Sequence, residues 1–264
     1  MTLRLFPSLN GLARYRFTLE YLGGAYKGVQ FQPGLPTIEG VLRRAIKKMD
    51  VGAEQLILGA RTDAGVGAVG QVGSIDVGGA IPSRSILRGL NACLPRDIRV
   101  KEVVLESQPF HPRGTARYRE YHYWMSNDPI PLGLRHVISE MRHPLDVYKL
   151  NRLASMVLGT HDFSGFQNEG SKFKSSIKTV VRSEFMVVNE ESRRFSSSLN
   201  LVCYVIVANS FLYRMVRNLV GALVNTAGGR LSESQFTFTL EHGKRQWPYK
   251  AAPAEGLELF KIYY

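Results

Sequence analysis

The sequence predicts an α+β protein built from two β-α-β-β-α-β halves, covering residues 1–112 and 113–264. Segments in which apolar and polar residues alternate, as in strands, are interspersed with segments whose apolar residues recur three or four positions apart, as in helices. The order of these segments in the first half recurs in the second. No stretch is rich enough in Gly, Ser or Pro to form a flexible linker, so we expect the halves to pack tightly.

Four strands and two helices are predicted in the first half. The strand patterns cover residues 14–21, 56–60, 71–77 and 98–105. The first helix follows Pro36 and carries apolar residues on one face, namely Ile38, Val41, Leu42, Ala45, Ile46 and Met49. The second helix opens at Pro82, because Ile86, Leu87, Leu90 and Leu94 again share one face.

The second half repeats this order with one additional helix. The strand patterns cover residues 121–125, 177–188, 199–208 and 257–263. Asp146 is a suitable N-cap for a helix that ends before Gly159. Another helix runs from Leu212 until Gly228 stops it. Ser232 and Gln235 have the spacing of a capping box, which predicts the last helix.

The composition excludes several classes of protein. Apolar residues make up 44% of the chain, which is enough to bury a core and argues against intrinsic disorder. No apolar run approaches the roughly 18 residues of a membrane span. Cys93 and Cys203 are too few for a disulfide framework or a structural zinc site. We therefore expect a soluble intracellular protein.

The positive charge predicts a polyanionic partner. The chain has 34 Lys and Arg against 22 Asp and Glu, a net charge of +12. Ordinary solvated charge explains most single basic residues, but a folded basic surface explains the whole set better. The basic residues occur in clusters along the chain: Arg113, Arg117, Arg119; Lys172, Lys174, Lys178, Arg182; Arg193, Arg194; Arg214, Arg217; Lys244, Arg245.

Asp63 is the strongest candidate for chemistry. It lies in the sequence Arg61-Thr62-Asp63-Ala64-Gly65, where small neighbours leave the backbone open to a ligand and Arg61 is near enough to keep the carboxylate ionised. Such a carboxylate can act as a nucleophile or stabilise a cation developing at a sugar carbon. An Asp that only supports a turn is the alternative.

Three other patterns are weaker. Gly65, Gly67 and Gly70 spell G-x-G-x-x-G, but a dinucleotide site needs a following helix and an acidic residue about 20 positions on, and the sequence here continues as a strand. His161-Asp162 has no second ligand pair at a suitable spacing, so we expect no metal. Tyr118, Tyr121, Tyr123 and Trp124 fit a core, although a tyrosine among arginines also suits stacking on a nucleobase.

These motifs together resemble the tRNA pseudouridine synthase A family. The loop from Gly59 to Val66 is similar to that family's catalytic loop. Further similarities follow in order along almost the whole chain: Gly28-x-Gln30-x-Gln32, the Asn91–Pro95 turn, Phe110-His111 with Arg113, Arg119-x-Tyr121-x-Tyr123, Asp162-Phe163-Ser164 with Phe166, Phe211-Leu212, Met215–Asn218 and Gly256-Leu257.

The resemblance implies a role for each matching residue. Asp63 is the catalytic aspartate, Tyr121 stacks on the target uracil, and Arg217 pairs with the aspartate. Arg61 helps to displace and replace the flipped nucleotide, and Leu257 lines the uracil pocket. The other implied substrate-binding residues are Gln30, Phe110, His111 and Arg113.

The resemblance also implies a reaction and a fold. The reaction breaks the N1–C1′ bond of a uridine in the anticodon stem-loop of tRNA, turns the uracil and rejoins it through C5, without metal or organic cofactor. The target base must leave its stack, and a basic cleft must hold the flanking phosphates. The implied pseudouridine synthase fold has two ferredoxin-like halves whose sheets meet around a central RNA-binding cleft. A homodimer is implied, in the cytoplasm, or in mitochondria if the source is eukaryotic.

Three positions depart from the family pattern. Gly67 stands where the family has His, Val29 stands where it has Trp, and Ala60 interrupts Gly59 and Arg61. None of them is Asp63, so we expect an active enzyme. The alternative is a basic RNA-binding protein of the same fold that is catalytically impaired, and a nicotinamide-dependent enzyme is a distant third.

Overall fold

The computed structural model describes residues 12–168, 175–188, 199–248 and 250–264. These form two compact units, one comprising the described residues up to Arg117 together with Lys261–Tyr264, the other Tyr118–Phe260. The α+β class is confirmed, while the domain division at residue 112 stays a prediction. Within the described ranges, no helix is both long and apolar enough to cross a membrane. The basic residues Lys172, Lys174, Arg193 and Arg194 lie outside the described residues.

The first unit contains four full strands and two helices. In chain order they are β1 (Leu12–Tyr21), α1 (Ile38–Met49), β2 (Ala53–Leu58), β3 (Gly67–Gly78), α2 (Ser83–Cys93) and β4 (Ile98–Leu105). The strands pair in the order β4-β1-β3-β2, and each pairing is antiparallel. Helix α2 packs against β4, and α1 packs against β2 and α2.

Local sequence explains why α1 forms here. Thr37 caps its N-terminus, with the side-chain oxygen accepting a hydrogen bond from the Gly40 N–H, and Asp50 ends it in a left-handed conformation. Its buried face carries Ile38, Leu42, Ala45 and Ile46, as the apolar spacing predicts. The helix N-terminus is thereby fixed beside the loop that precedes it.

The second unit contains the remaining elements. In chain order they are β5 (Tyr118–Ser126), β6 (Ser139–Glu140), α3 (Val147–Ser155), β7 (Gly159–Asp162), β8 (Ile177–Val188), β9 (Leu201–Ala208), α4 (Met215–Ala227), α5 (Glu233–His242) and β10 (Leu257–Tyr263). The last three residues of β10 belong to the first unit. The strands follow the order β10-β5-β9-β8-β7, and β6 pairs with β5 in parallel.

Most predicted elements are confirmed, with differences at their ends. The capping box of Ser232 and Gln235 is present at the start of α5. Helix α4 begins at Met215 rather than at Leu212, because Arg214 takes a left-handed conformation that no helix continues. The sequence patterns missed the short strands β6 and β7, and two 3₁₀ helices at Leu132–Leu134 and Phe163–Phe166.

Candidate active site

Asp63 lies in the loop between β2 and β3, at the start of a tight turn. The Val66 N–H donates to the Asp63 carbonyl oxygen at 3.2 Å. Gly65 occupies the third position of this turn with φ +82°, where a residue with a side chain would be strained. Asp63 itself is half-buried. The turn therefore presents the carboxylate at the end of the sheet of the first unit.

The segment between β1 and α1 packs directly on this turn. The Val29 N–H donates to the Thr62 carbonyl oxygen at 3.1 Å, and the Gly65 N–H donates to the Tyr26 carbonyl oxygen at 3.2 Å. A Cβ atom on Gly28, whose φ is +96°, would lie 2.9 Å from the Thr62 oxygen, and one on Gly23 would lie 2.2 Å from the Val66 oxygen. The backbones approach this closely only because both positions are glycine.

Helix α1 is connected to the same turn through Gly28 and Val29. Their carbonyl oxygens accept hydrogen bonds from the Ile38 and Glu39 N–H groups, at 3.2 and 2.9 Å. These two donors would otherwise lack a partner at the helix N-terminus. Gln30, a predicted substrate-binding residue, is exposed and follows Val29 directly, so the segment that bonds to Thr62 also carries Gln30.

A buried polar network fixes the residues just before Asp63. The Gln71 side chain, on β3, accepts a hydrogen bond from the Ala60 N–H at 3.0 Å and donates one to the Ala60 carbonyl oxygen at 2.9 Å. The Tyr21 hydroxyl lies 2.9 Å from the Thr62 Oγ1. Burial raises the pKa of Tyr21 to about 12, so this hydroxyl keeps its proton at neutral pH.

Two arginines lie beside the turn. The Arg113 Nε donates to the Leu58 carbonyl oxygen at 2.7 Å, which holds the side chain at the end of β2. Partial burial and the nearby positive charge of Arg61 both lower the pKa of Arg113. Arg61 is exposed. The positive charges of Arg113 and Arg61 at this turn suit a polyanion such as an RNA backbone.

The segment from Phe110 to Arg113 passes along the same end of the first unit. A Cβ on Gly59 would lie 3.0 Å from the Pro112 carbonyl oxygen. The Phe110 ring lies 4.9 Å from the Tyr264 ring. The His111 Nδ1 accepts from the Arg113 and Gly114 N–H groups at 3.2 and 3.0 Å, so the neutral ring carries its proton on Nε2. The structure gives His111 a role in holding this turn.

In the second unit, Tyr121 is a buried residue near the start of β5. Its ring meets the Phe211 ring edge to face, with centroids 5.0 Å apart. Tyr121 pairs with Ile206 in the register of β5 and β9, and only 7% of its surface is exposed. Tyr123 and Trp124 are buried as well, whereas Tyr118 is 37% exposed. The strand therefore fixes the Tyr121 backbone, and Phe211 orients its ring.

Arg217 lies in the first turn of α4, where a positive side chain faces the positive end of the helix dipole. Its Nε donates to the Ala252 carbonyl oxygen at 2.6 Å. The preceding Arg214 has φ +59°, and its buried Nε has no hydrogen-bond partner among the described residues. Two arginines therefore lie at the N-terminus of α4, which is the end of a helix that attracts anions.

Leu257 is buried where β10 begins, next to β5. The Trp124 N–H donates to the Gly256 carbonyl oxygen at 2.8 Å, and a Cβ on Gly256 would lie 2.8 Å from the Trp124 carbonyl oxygen. The Leu257 N–H donates to the Ala254 carbonyl oxygen. Ala252, a few residues earlier, bonds to Arg217, so one short segment connects Arg217 with β5.

Two other sequence motifs have the following surroundings in the structure. Gly67 and Gly70 lie in β3, so no helix begins there and the G-x-G-x-x-G pattern lacks the context of a dinucleotide site. The His161 Nε2 lies 2.8 Å from the Leu158 carbonyl oxygen, and Asp162 caps a 3₁₀ helix. In the part of the chain that the structure covers, no group of three or more His, Cys, Asp or Glu is placed to hold a metal ion.

The six predicted site residues of the first unit belong to segments that contact one another: Gln30, Arg61, Asp63, Phe110, His111 and Arg113. Tyr121, Arg217 and Leu257 lie in the second unit, and the pairing of Arg217 with Asp63 stays a prediction. Sequence reasoning missed Gln71 and Tyr21. A polar residue at a fully buried strand position, as at Gln71, is the signal that points to such a network.

A carboxylate on a hydrogen-bonded turn beside two arginines, in a chain of net charge +12, fits a protein that acts on nucleic acid. The sequence profile described as tRNA pseudouridine synthase matches residues 153–264. The tRNA pseudouridine synthase A of Acetivibrio thermocellus is 35% identical over 94% of this chain and 98% of its own length. The proteins of that name from Chlamydia pneumoniae and Myxococcus xanthus are 34% and 35% identical, each over 96% of this chain and 92% of their own. The chain belongs to the tRNA pseudouridine synthase A family.

Proposed function

We propose that this protein isomerises uridine to pseudouridine in the anticodon stem-loop of tRNA, with Asp63 as the catalytic group. The observation that carries the proposal is the turn of Asp63, which is held beside Arg61 and Arg113 by contacts from β1, from β3 and from the segment between β1 and α1. A preorganised carboxylate next to phosphate-binding groups is what chemistry at a ribose carbon requires.

The proposed reaction is an isomerisation, so its atoms balance without a co-reactant. Asp63 either attacks C1′ and forms an ester as the N1–C1′ bond breaks, or removes the C2′ proton so that the N1–C1′ bond breaks and a glycal forms. The detached uracil turns and C5 bonds to C1′, which breaks the Asp63–C1′ bond in the first route and returns the proton to C2′ in the second. The proton leaves C5, and N1 gains a proton. Because C5 loses its hydrogen, the hydrogen released from C5 measures the number of turnovers.

The remaining site residues have supporting roles in this proposal. Arg61 helps to displace and replace the flipped nucleotide, Arg113 binds the flanking phosphates, and Tyr121 stacks on the uracil. Arg217 pairs with the Asp63 carboxylate. Its place at the N-terminus of α4, next to the strained Arg214, supports this role, because a carboxylate there would neutralise positive charge.

The test compares Asp63→Asn with the wild type on an anticodon stem-loop transcript labelled with tritium at C5 of uridine. We expect no tritium release from the variant and a nearly unchanged affinity for tRNA, because the substitution removes only the nucleophilic carboxylate. Asp50→Asn is the matched control, since Asp50 is an exposed residue at the end of α1 whose left-handed backbone suits Asn. Turnover by Asp63→Asn would reject the mechanism.

The same experiment distinguishes an active enzyme from the alternative, a catalytically impaired RNA-binding protein. If this alternative holds, the wild-type protein binds tRNA with an affinity that falls steeply with salt and releases no tritium from any uridine. Release of tritium by purified wild-type protein rejects this alternative.

We infer that each half is ferredoxin-like. The strand orders β4-β1-β3-β2 and β10-β5-β9-β8 support this, because in both sets the last strand of the half lies beside the first.

We also propose a homodimer. Strand β8 exposes apolar side chains that a second copy would cover, at Ile177, Val181, Met186 and Val187. Light scattering on the purified protein measures the mass and tests the dimer.

A further inference from the structure

The Gln71 side chain uses all four of its hydrogen-bonding positions on one buried network. Its carbonyl oxygen accepts from the Ala60 and Val72 N–H groups at 3.0 and 3.2 Å. Its NH₂ group donates to the Ala60 carbonyl oxygen at 2.9 Å and to the Tyr21 hydroxyl at 3.4 Å. The residue is fully buried. No position on this amide is left for any other partner.

The amide continues the pairing of β2 with β3 beyond the end of β2. Backbone pairing reaches Gly59, whose N–H donates to the Val72 carbonyl oxygen at 2.7 Å. At Ala60 the Gln71 side chain takes the place of a backbone peptide, since it both accepts from the N–H and donates to the carbonyl. The chain can then leave the sheet toward Asp63 while Ala60 stays fixed.

The network extends from Gln71 to the residue next to Asp63. The Tyr21 hydroxyl accepts a hydrogen bond from the Gln71 NH₂ group and shares a second hydrogen bond with the Thr62 Oγ1, 2.9 Å away. Both Tyr21 and Thr62 are buried. Two of the three residues before Asp63 are thus held by a single side-chain network.

We propose that Gln71 is a positioning residue for the Asp63 carboxylate, acting through Ala60 directly and through Tyr21 on Thr62. This inference rests on the proposed function, because it assumes that Asp63 carries the chemistry. It predicts that disturbing Gln71 lowers kcat while the KM for tRNA stays the same.

The experiment is the pH profile of Gln71→Glu, a substitution of almost the same size. A protonated carboxyl group has one donor and one acceptor, so it satisfies Ala60 as the amide does but has no second donor for the Tyr21 hydroxyl, whereas the ionised form has no donor for either partner. Burial raises the pKa of a carboxyl group. We therefore expect the kcat of Gln71→Glu, relative to the wild type at the same pH, to be highest at acid pH. Since small misplacements of reacting groups cost about 10²-fold, we expect a decline of about that size as pH rises.

Asn91→Asp is the matched control, because the Asn91 amide makes the same kind of paired hydrogen bonds to one backbone residue elsewhere in the first unit. Its Nδ2 donates to the Val100 carbonyl oxygen at 2.8 Å, and its Oδ1 accepts from the Val100 N–H at 2.9 Å. This variant is expected to lose stability as pH rises in the same way, without a fall in kcat per folded molecule.

The outcomes are distinct. A wild type that makes no pseudouridine refutes the proposed function. An active wild type, with kcat of Gln71→Glu falling only in proportion to its folded fraction, as in Asn91→Asp, overturns the positioning role. If Gln71→Glu does not fold at neutral pH, Tyr21→Phe tests the same network, because it removes only the hydroxyl group that reaches Thr62. An unchanged kcat in Tyr21→Phe then overturns the path through Thr62.

Discussion

The two units hold their predicted functional side chains in different ways. In the first unit, Asp63 lies outside helix and strand, and its loop is held by bonds from distant segments, including those of Val29 and Gln71. In the second unit, Tyr121 lies within β5 and Arg217 within the first turn of α4, so the backbone of each residue belongs to a regular element.

Because of this difference, substitutions in the two units should change different properties, catalytic activity in the first and stability in the second. A loop that depends on a few tertiary contacts can shift when one of them is lost, while the rest of its unit stays folded. A residue within a strand or helix moves only when the element does. We therefore expect substitutions around the Asp63 turn to change kcat, and substitutions that support β5 or α4 to change the free energy of unfolding.

The largest expected effect is that of Gly28→Ala. The new methyl group would lie 2.9 Å from the Thr62 carbonyl oxygen, and φ +96° is unfavourable for any residue with a side chain. We expect kcat to fall about 10²-fold as the turn is displaced. Pseudouridine formation on a tRNA transcript, per folded molecule, measures it.

Gly34→Ala is the control for Gly28→Ala. Gly34 also has a positive φ, +74°, but no atom lies within 4 Å of its added Cβ. It carries the same kind of backbone strain, about 1–2 kcal/mol, without touching the turn. Equal losses of kcat in the two variants would show that strain alone, and not contact with Thr62, sets the activity.

The sequence allowed prediction of most elements of the fold because each carries its own local signal. The buried face of α1 and the capping box of α5 are examples, since spacing and caps lie within a few residues. The patterns failed where the structure depends on distant contacts. Strand β7 is only four residues long and exists through its pairing with β8. No alternation of residues could reveal it.

The candidate site shows the same limit. Asp63 and Arg61 are found from a short motif, but Gln71 lies eight residues beyond Asp63 in what the sequence shows only as a strand. Its bonds to Ala60 and Tyr21 depend on the register of β1 with β3, in which Leu19 pairs with Gln71. Register is set by tertiary packing, so the network becomes visible only in the folded unit.

In the second unit, a substitution at Asn218 should change stability rather than kcat. Its Nδ2 donates to the Phe166 carbonyl oxygen at 2.7 Å and to the Asn168 Oδ1 at 2.9 Å, which joins α4 to a separate segment. Asn218→Ala leaves the Phe166 carbonyl without this donor in a buried place, which should cost about 2 kcal/mol of unfolding free energy in urea titrations.

Asn225→Ala is the control for Asn218→Ala in the same helix. The Asn225 Nδ2 donates to the Gly221 carbonyl oxygen, one turn earlier in α4, and alanine favours helix, so we expect almost no change in stability. If Asn218→Ala lowered kcat per folded molecule as strongly as Gly28→Ala, the proposed division between the units would be wrong.

The smallest expected effect is that of Tyr21→Phe on stability. At pH 7 the loss of the bonds to Thr62 and Gln71 should cost about 1 kcal/mol. The pKa of Tyr21 is about 12 in the folded protein, against about 10 for an unfolded tyrosine. Its protonated form therefore stabilises the fold below pH 10, and this contribution is lost as pH rises toward 12. Urea titrations at pH 7 and at increasing alkaline pH should show the wild-type advantage shrinking, because the phenylalanine variant has no proton to lose there. An advantage that stayed constant or grew with pH would mean that the Tyr21 hydroxyl is not buried in the network that holds the Asp63 turn.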